Sequence, residues 1–141
     1  MTRSAEFGAY DMIGFSSRTL STIEGFAANM QIDRVSAADD GSLTFQFERA
    51  GTLCFTPSQD GSRTLISLKR KPARPLLAEH LKDLLALSGW DSYLRLTINA
   101  GLSIDDSPVI VASLDEQTLD LQSIEHCLDR LISLHDRMQI N

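Results

Sequence analysis

The chain has little that would serve chemistry. Its 141 residues include two cysteines, three histidines and one tryptophan, and basic residues are outnumbered by acidic ones, 13 to 19. A net charge of −6 and a pI near 4.9 exclude the basic surface that nucleic-acid binders need to displace counterions. No apolar run is long enough to span a bilayer. The opening stretch MTRSAEFGAYDMIGFSSRTL also lacks a signal-peptide core, so neither nucleic acid nor membrane is an expected partner. The sequence has no Walker loop, Gly-x-Gly-x-x-Gly turn or Gly-x-Ser-x-Gly elbow. Cys54 and Cys127 stand alone within apolar patterns, which reads as two free thiols in a reducing cytoplasm.

What is present is patterned. An apolar content of 43% and a charged content of 23% suit a globular domain large enough to bury its own core. Residues 1–12 show no period and read as an N-terminal arm, with residues 13–141 as a single domain. From Phe15 the spacing of Leu20, Ile23, Ala27 and Met30 is helical, with Ser16 or Ser17 placed to cap the start. Leu43, Phe45 and Phe47 alternate with polar residues, as in a strand with one buried face. Further strands follow over Thr52–Thr56 and about Arg63–Lys69, separated by Ala50-Gly51 and Asp60-Gly61 turns. Pro72 and Pro75 then lead into LLAEHLKDLLALSGW, a leucine-rich helix that Gly89 ends. Strands at Tyr93–Asn99 and Val109–Leu114 precede a final amphipathic helix with Asp120 as its cap. The pattern predicts an α+β fold with an antiparallel sheet of about five strands and three helices, in the order α-β-β-β-α-β-β-α.

The candidate chemistry is thin. EHLKD (79–83) and EHCLD (125–129) share one spacing, but adjacent helical residues diverge by about 100° and cannot ligate one ion from one face. His80 with Asp83, and His126 with Asp129, are instead expected as surface pairs at i,i+3. His135 lies on the apolar stripe of the last helix and reads as a partly buried residue. No cofactor or metal is expected, and no catalytic residue. The one basic cluster, LKRKPARP (68–75), reads as a solvated loop or as a contact for an acidic partner surface.

Hydrophobic surface, by contrast, is in surplus. The leucines of residues 76–87 fan across about half a helical wheel, wider than the stripe one sheet covers. Apolar surface beyond a single core usually marks a protein interface, and a symmetry mate is its simplest cover.

In size, acidity and order of elements the chain resembles the class I type III secretion chaperones, the family that includes the Tir chaperone. DDGSLTFQFE is similar to that family's entry into its first strand. LLAEHLKDLLALSGW is similar to its leucine-rich second helix, and LDLQSIEHCLDRLISLHDRM to its closing helix. SGW departs from the usual end of that second helix. The resemblance implies a homodimeric, non-enzymatic chaperone in the cytoplasm of a Gram-negative bacterium. Such a protein holds the N-terminal segment of a secreted effector non-globular and delivers it to the secretion apparatus. It also implies a dimer interface at Leu77, Leu81, Leu84, Leu85, Trp90 and Leu94, and effector contacts at Phe15, Leu20, Ile23, Phe26, Leu53 and Phe55. Two rival readings are a dimeric α+β binding or regulatory domain with a folded partner, and a small cofactor-free enzyme using scattered His, Asp and Ser residues.

Overall fold

A computed structural model describes residues 14–32 and 35–138; the proposed arm at residues 1–12 lies outside them. Helix α1 (Ser17–Asn29) starts where Ser16 Oγ accepts the Thr19 N–H at 3.1 Å. It ends where Gln31 turns left-handed (φ 56°) and the Ile32 N–H reaches back to the Ala27 carbonyl at 3.0 Å, closing the last turn. Strands β1 (Ser36–Ala37), β2 (Leu43–Phe47), β3 (Gly51–Pro57) and β4 (Arg63–Lys69) follow. After helix α2 (Ala78–Ala86) come β5 (Gly89–Asp91), β6 (Leu96–Leu102) and β7 (Pro108–Asp115), and then helix α3 (Leu121–Met138). In α3 the Asp120 carboxylate accepts the Ser123 N–H at 2.7 Å, while Ser123 Oγ accepts the Asp120 N–H at 2.9 Å. This reciprocal cap satisfies two groups the helix end would leave orphaned.

Among the described residues, seven strands form one sheet in the order β1-β2-β3-β4-β7-β6-β5, with every neighbouring pair antiparallel. The α+β class and three helices agree with expectation among the described residues. The sheet has seven strands rather than about five, and the order is α-β-β-β-β-α-β-β-β-α. The two additional strands, β1 and β5, are too short to show any period. The strand expected from Tyr93 begins three residues later, because residues 91–95 form a turn. There the Arg95 N–H bonds the Asp91 carbonyl at 2.7 Å, with Arg95 left-handed at φ 60°. Gly51 at the β2–β3 turn adopts φ +122°, and a Cβ there would lie 2.2 Å from the Lys69 carbonyl oxygen, so only glycine fits.

Strand alternation divides the sheet into two different faces. One row across it reads Leu43, Phe55, Ile66, Ala112, Ile98, all buried. The adjacent row on the opposite face reads Thr44, Cys54, Ser67, Val111, Asn99, all half-buried or exposed. Helices α1 and α3 close the apolar face: Leu20, Ile23 and Phe26 from α1 and Ile124, Cys127, Leu128 and Leu131 from α3 join the strands in one core. At its centre Phe26, Phe45 and Phe55 meet edge-to-face or tilted, with ring centroids 5.5–5.9 Å apart. Helix α2 packs against β6 and α3.

Candidate partner-binding surfaces

The first surface is a sheet edge. β1 has two residues and pairs only with Leu43 and Thr44 of β2. Because the Ala38 N–H bonds the Ser42 carbonyl on this side, antiparallel alternation turns the backbone groups of Thr44 and Gln46 the same way. Beyond Thr44, no strand among the described residues pairs with this side of β2. A cleft of about 630 Å³ runs along it, with Met30 and Ile32 on one wall and Gln46, Phe47 and Glu48 on the other. Met30 is exposed and Phe47 half-buried, so the cleft offers apolar side chains beside main-chain hydrogen-bonding groups. That is the pairing an extended peptide needs.

The second surface lies at the far edge of the sheet. Leu77 at the start of α2, Leu85 within it and Trp90 on β5 are 57%, 61% and 68% exposed, apolar surface that the described residues leave uncovered. Beside it, a groove of about 550 Å³ runs between residues 71–76, Leu81 of α2 and the β6–β7 turn at Leu102, Asp105 and Asp106. Lys69 pairs with Asp105 across this turn at 3.7 Å. The hydroxyl of Ser103 and the contribution of Ser107 hold the Asp105 carboxyl down to about 2 against the opposing effect of burial, with a weaker pull from the charge of Lys69.

Of the basic cluster, Arg70 bonds Asp136 at 2.6 Å and donates Nε–H to the Ala50 carbonyl at 3.0 Å. Lys69 and Arg70 are therefore engaged within the chain, and Lys71 and Arg74 line the groove.

The residues singled out from sequence divide unevenly between these surfaces. Phe15, Leu20, Ile23, Phe26, Leu53 and Phe55 are all 0–4% exposed and belong to the core. The cleft at β2 is built instead by residues at their margin. Of the leucine-helix set, Leu77, Leu85 and Trp90 are exposed, Leu81 and Leu94 half-buried, and Leu84 is 1% exposed inside its own chain.

Neither histidine pair forms. His80 Nδ1 accepts the Leu77 N–H at 3.0 Å, capping α2. His126 stacks on Tyr93 with centroids 4.5 Å apart. His135 is buried, its Nε2 2.8 Å from the Leu68 carbonyl oxygen. Burial lowers its pKa, and the neutral ring donates Nε2–H to that carbonyl. No group of three metal-ligating side chains occurs among the described residues, and no helix among them is long and apolar enough to cross a membrane. Both cysteines are free thiols; Cys127 is buried and Cys54 half-buried on the open face of the sheet.

One charged contact was not visible in the sequence. Asp91, buried at the end of β5, receives Nε–H and Nη2–H from Arg130 of α3 at 3.1 and 2.8 Å, and its Oδ2 accepts the Leu94 N–H at 2.9 Å. Burial pushes the Asp91 carboxyl up. The Arg130 hydrogen bonds, the Leu94 amide and the charges of Arg130 and Arg137 outweigh it and hold the group below the usual carboxylate range. The partners stand 39 positions apart, and no periodicity links them.

Comparison with known proteins gives these surfaces a context. Residues 21–139 match the model of the Tir chaperone protein (CesT) family. Among solved structures, the Yersinia pestis type III secretion chaperone SycH, in complex with a stable fragment of YscM2, superposes with a TM-score of 0.60 at 15% identity. That match covers 86% of this chain and 98% of the other. A chain of the heterodimeric ExoU–SpcU complex from the type III secretion system of Pseudomonas aeruginosa gives 0.58 at 18% identity, covering 82% and 93%. A chain of the HopA1–SchA chaperone–effector complex gives 0.57 at 14% identity, covering 86% and 91%. No curated protein matches by sequence. The family match spans most of the chain, and the chain belongs to the Tir chaperone protein (CesT) family, whose members are chaperones and not enzymes.

Proposed function

Because the chain belongs to that family, we propose that it is a cytoplasmic type III secretion chaperone of a Gram-negative bacterium. It binds the N-terminal segment of a secreted effector, keeps it non-globular and hands it to the secretion apparatus. The observation that carries the mode of binding is the β2 edge beside the Met30–Phe47 cleft. An extended effector segment pairs its main chain with Gln46 and sets alternate apolar side chains between Met30 and Phe47. Phe26, Phe55, Leu53, Ile23, Leu20 and Phe15 belong to the core that packs α1 against the sheet, and on this reading they support the binding surface from within. The second surface is the self-association face: Leu77, Leu85 and Trp90 make its centre, Leu81 and Leu94 its margin, and Leu84 supports it from within. A homodimer doubles the edge sites and lets one long effector segment engage both, which raises avidity through effective concentration.

The test is co-purification with tagged N-terminal segments of the bacterium's secreted effectors, comparing the wild-type chain with Gln46→Pro. Proline removes an N–H that faces the open edge, where strands tolerate it. One or more segments are expected to bind the wild type while remaining protease-sensitive outside the complex, and Gln46→Pro is expected to bind at least about tenfold more weakly with its fold intact. Capture of a folded domain alone, or of no segment by a folded wild type, overturns the proposal.

A further inference from the structure

Trp90 and Asp91 are successive residues on the outermost strand of the sheet and point to opposite sides of it. Trp90 is largely solvent-exposed, whereas Asp91 is turned toward α3 and buried. β5 has only three residues and, among the described residues, is paired on one side alone, to β6. So short an edge strand is weakly held by its own ladder.

Further support comes from α3. Arg130 grips the Asp91 carboxylate through two nitrogens, at 2.8–3.2 Å. The same guanidinium lies 5.3 Å from the centroid of the Tyr93 ring, and His126, one helical turn before Arg130, stacks on that ring at 4.5 Å. Asp91 also caps the turn by accepting the Leu94 N–H. Residues 91–94 are thus fixed to the last helix by a bidentate ion pair, a cation–ring contact and a ring stack. The paired Asp91 leaves no buried charge unmet.

From this geometry we infer that Arg130 and Asp91 form a positioning clamp: α3 holds β5 so that Trp90 is presented, preset, to a second copy of the chain. The inference rests on the self-association reading of the Leu77–Leu85–Trp90 surface and adds to it two residues that lie behind that surface. Preset side chains associate more tightly because less ordering remains to be done on binding.

The test compares self-association of the full chain, by sedimentation equilibrium, in the wild type, Arg130→Met and the control Arg63→Met. Arg63 bonds Ser113 and Asp115 elsewhere on the sheet. Arg130→Met keeps an unbranched apolar side chain and removes both the ion pair with Asp91 and the cation–ring contact with Tyr93. It is expected to fold, as judged by far-UV circular dichroism, and to raise the dimer dissociation constant about tenfold, within the range for residues that act on a site without touching it. Arg63→Met is expected to match the wild type. Trp90 is the only tryptophan, so its emission in dilute, monomeric protein reports its own setting; it is expected to shift to the red in Arg130→Met and stay fixed in Arg63→Met. A folded Arg130→Met that dimerises as tightly as the wild type overturns the clamp. If Arg130→Met does not fold, Asp91→Asn keeps an oxygen to cap Leu94 while removing the charge; it should weaken association in the same way, and wild-type association in that variant overturns the clamp. A folded wild type that stays monomeric at tens of micromolar overturns the self-association reading itself, whatever the Arg130 variants do.

Discussion

Substituting Leu84 or Leu85 by alanine should separate the core from the proposed self-association face at two consecutive residues. Leu84 is 1% exposed and Leu85 61%. Truncating Leu84 removes buried methyl groups and leaves a cavity, a change that costs about 2–5 kcal/mol. That loss belongs to the single chain and appears at any protein concentration. Leu85 has little to lose in the monomer, where exposed substitutions shift stability by about 0.5 kcal/mol or less. In the proposed dimer its exposed part would be withdrawn from water. Full burial of a leucine contributes about 1.5–3 kcal/mol, so the exposed fraction leaves about 1 kcal/mol per side chain to be gained over alanine. Two-fold symmetry counts that gain twice, and about 2 kcal/mol corresponds to a roughly 30-fold weaker dimer. Urea unfolding of dilute protein measures the first effect, and sedimentation equilibrium over a concentration series measures the second. Leu85→Ala dimerising as the wild type does, or Leu84→Ala unfolding no more readily than Leu85→Ala, would refute the division.

Two further outcomes follow from buried titratable groups. His135 is neutral in the fold and its pKa is lowered, chiefly by burial. As pH falls through the unfolded value of 6.5, the unfolded chain takes up a proton that the folded chain resists, so stability is lost on the acid side. Between pH 7 and 5 the wild type should lose stability more steeply than His135→Gln, whose amide still donates to the Leu68 carbonyl; equal slopes in urea titrations would exclude this role. Burial, followed by the nearby Asp91 charge, pushes the Cys127 thiol up to about 12. It should therefore resist alkylation at pH 8 in the native protein and react fully in denaturant, as mass mapping of the labelled site would show; native labelling of Cys127 would contradict its burial.

Much of the architecture was legible because long elements carry strong periods. The stripe of α3 and the alternation of β2 each repeat often enough to fix both element and inward face. β1 and β5 could not be read this way, since two and three residues contain no period. The same limit leaves open what covers each apolar residue. Periodicity identifies Phe26 and Phe55 as apolar-facing, yet it does not say whether a sheet, a second copy or a bound peptide covers them. In this fold they cover each other at 5.8 Å. Likewise the wheel of α2 shows Leu84 and Leu85 as equally apolar, and only the docking of α2 against β6 and α3 separates them. The pairing of Asp91 with Arg130 depends on a turn and a helix meeting across 39 positions, which no local pattern encodes.

The two proposed surfaces share a cause in the sheet itself. An open sheet ends in two strands whose outer main-chain groups lack neighbours, and soluble proteins ordinarily blunt such edges with short strands, charges or a covering element. This chain shortens both: β1 has two residues and β5 three. It treats the remainder differently. Beside β1, part of the β2 edge adjoins an apolar cleft, so an incoming extended chain can be recognised mostly through its backbone, with little demand on its sequence. At β5 the edge carries a large exposed aromatic side chain next to an aspartate bonded to α3; on the clamp proposed above, that would favour one defined docking geometry over many. A protein that must accept a non-globular segment yet pair with itself in a single way needs both properties. Placing them at opposite ends of one rigid sheet keeps a permissive site and a specific one from competing for the same surface.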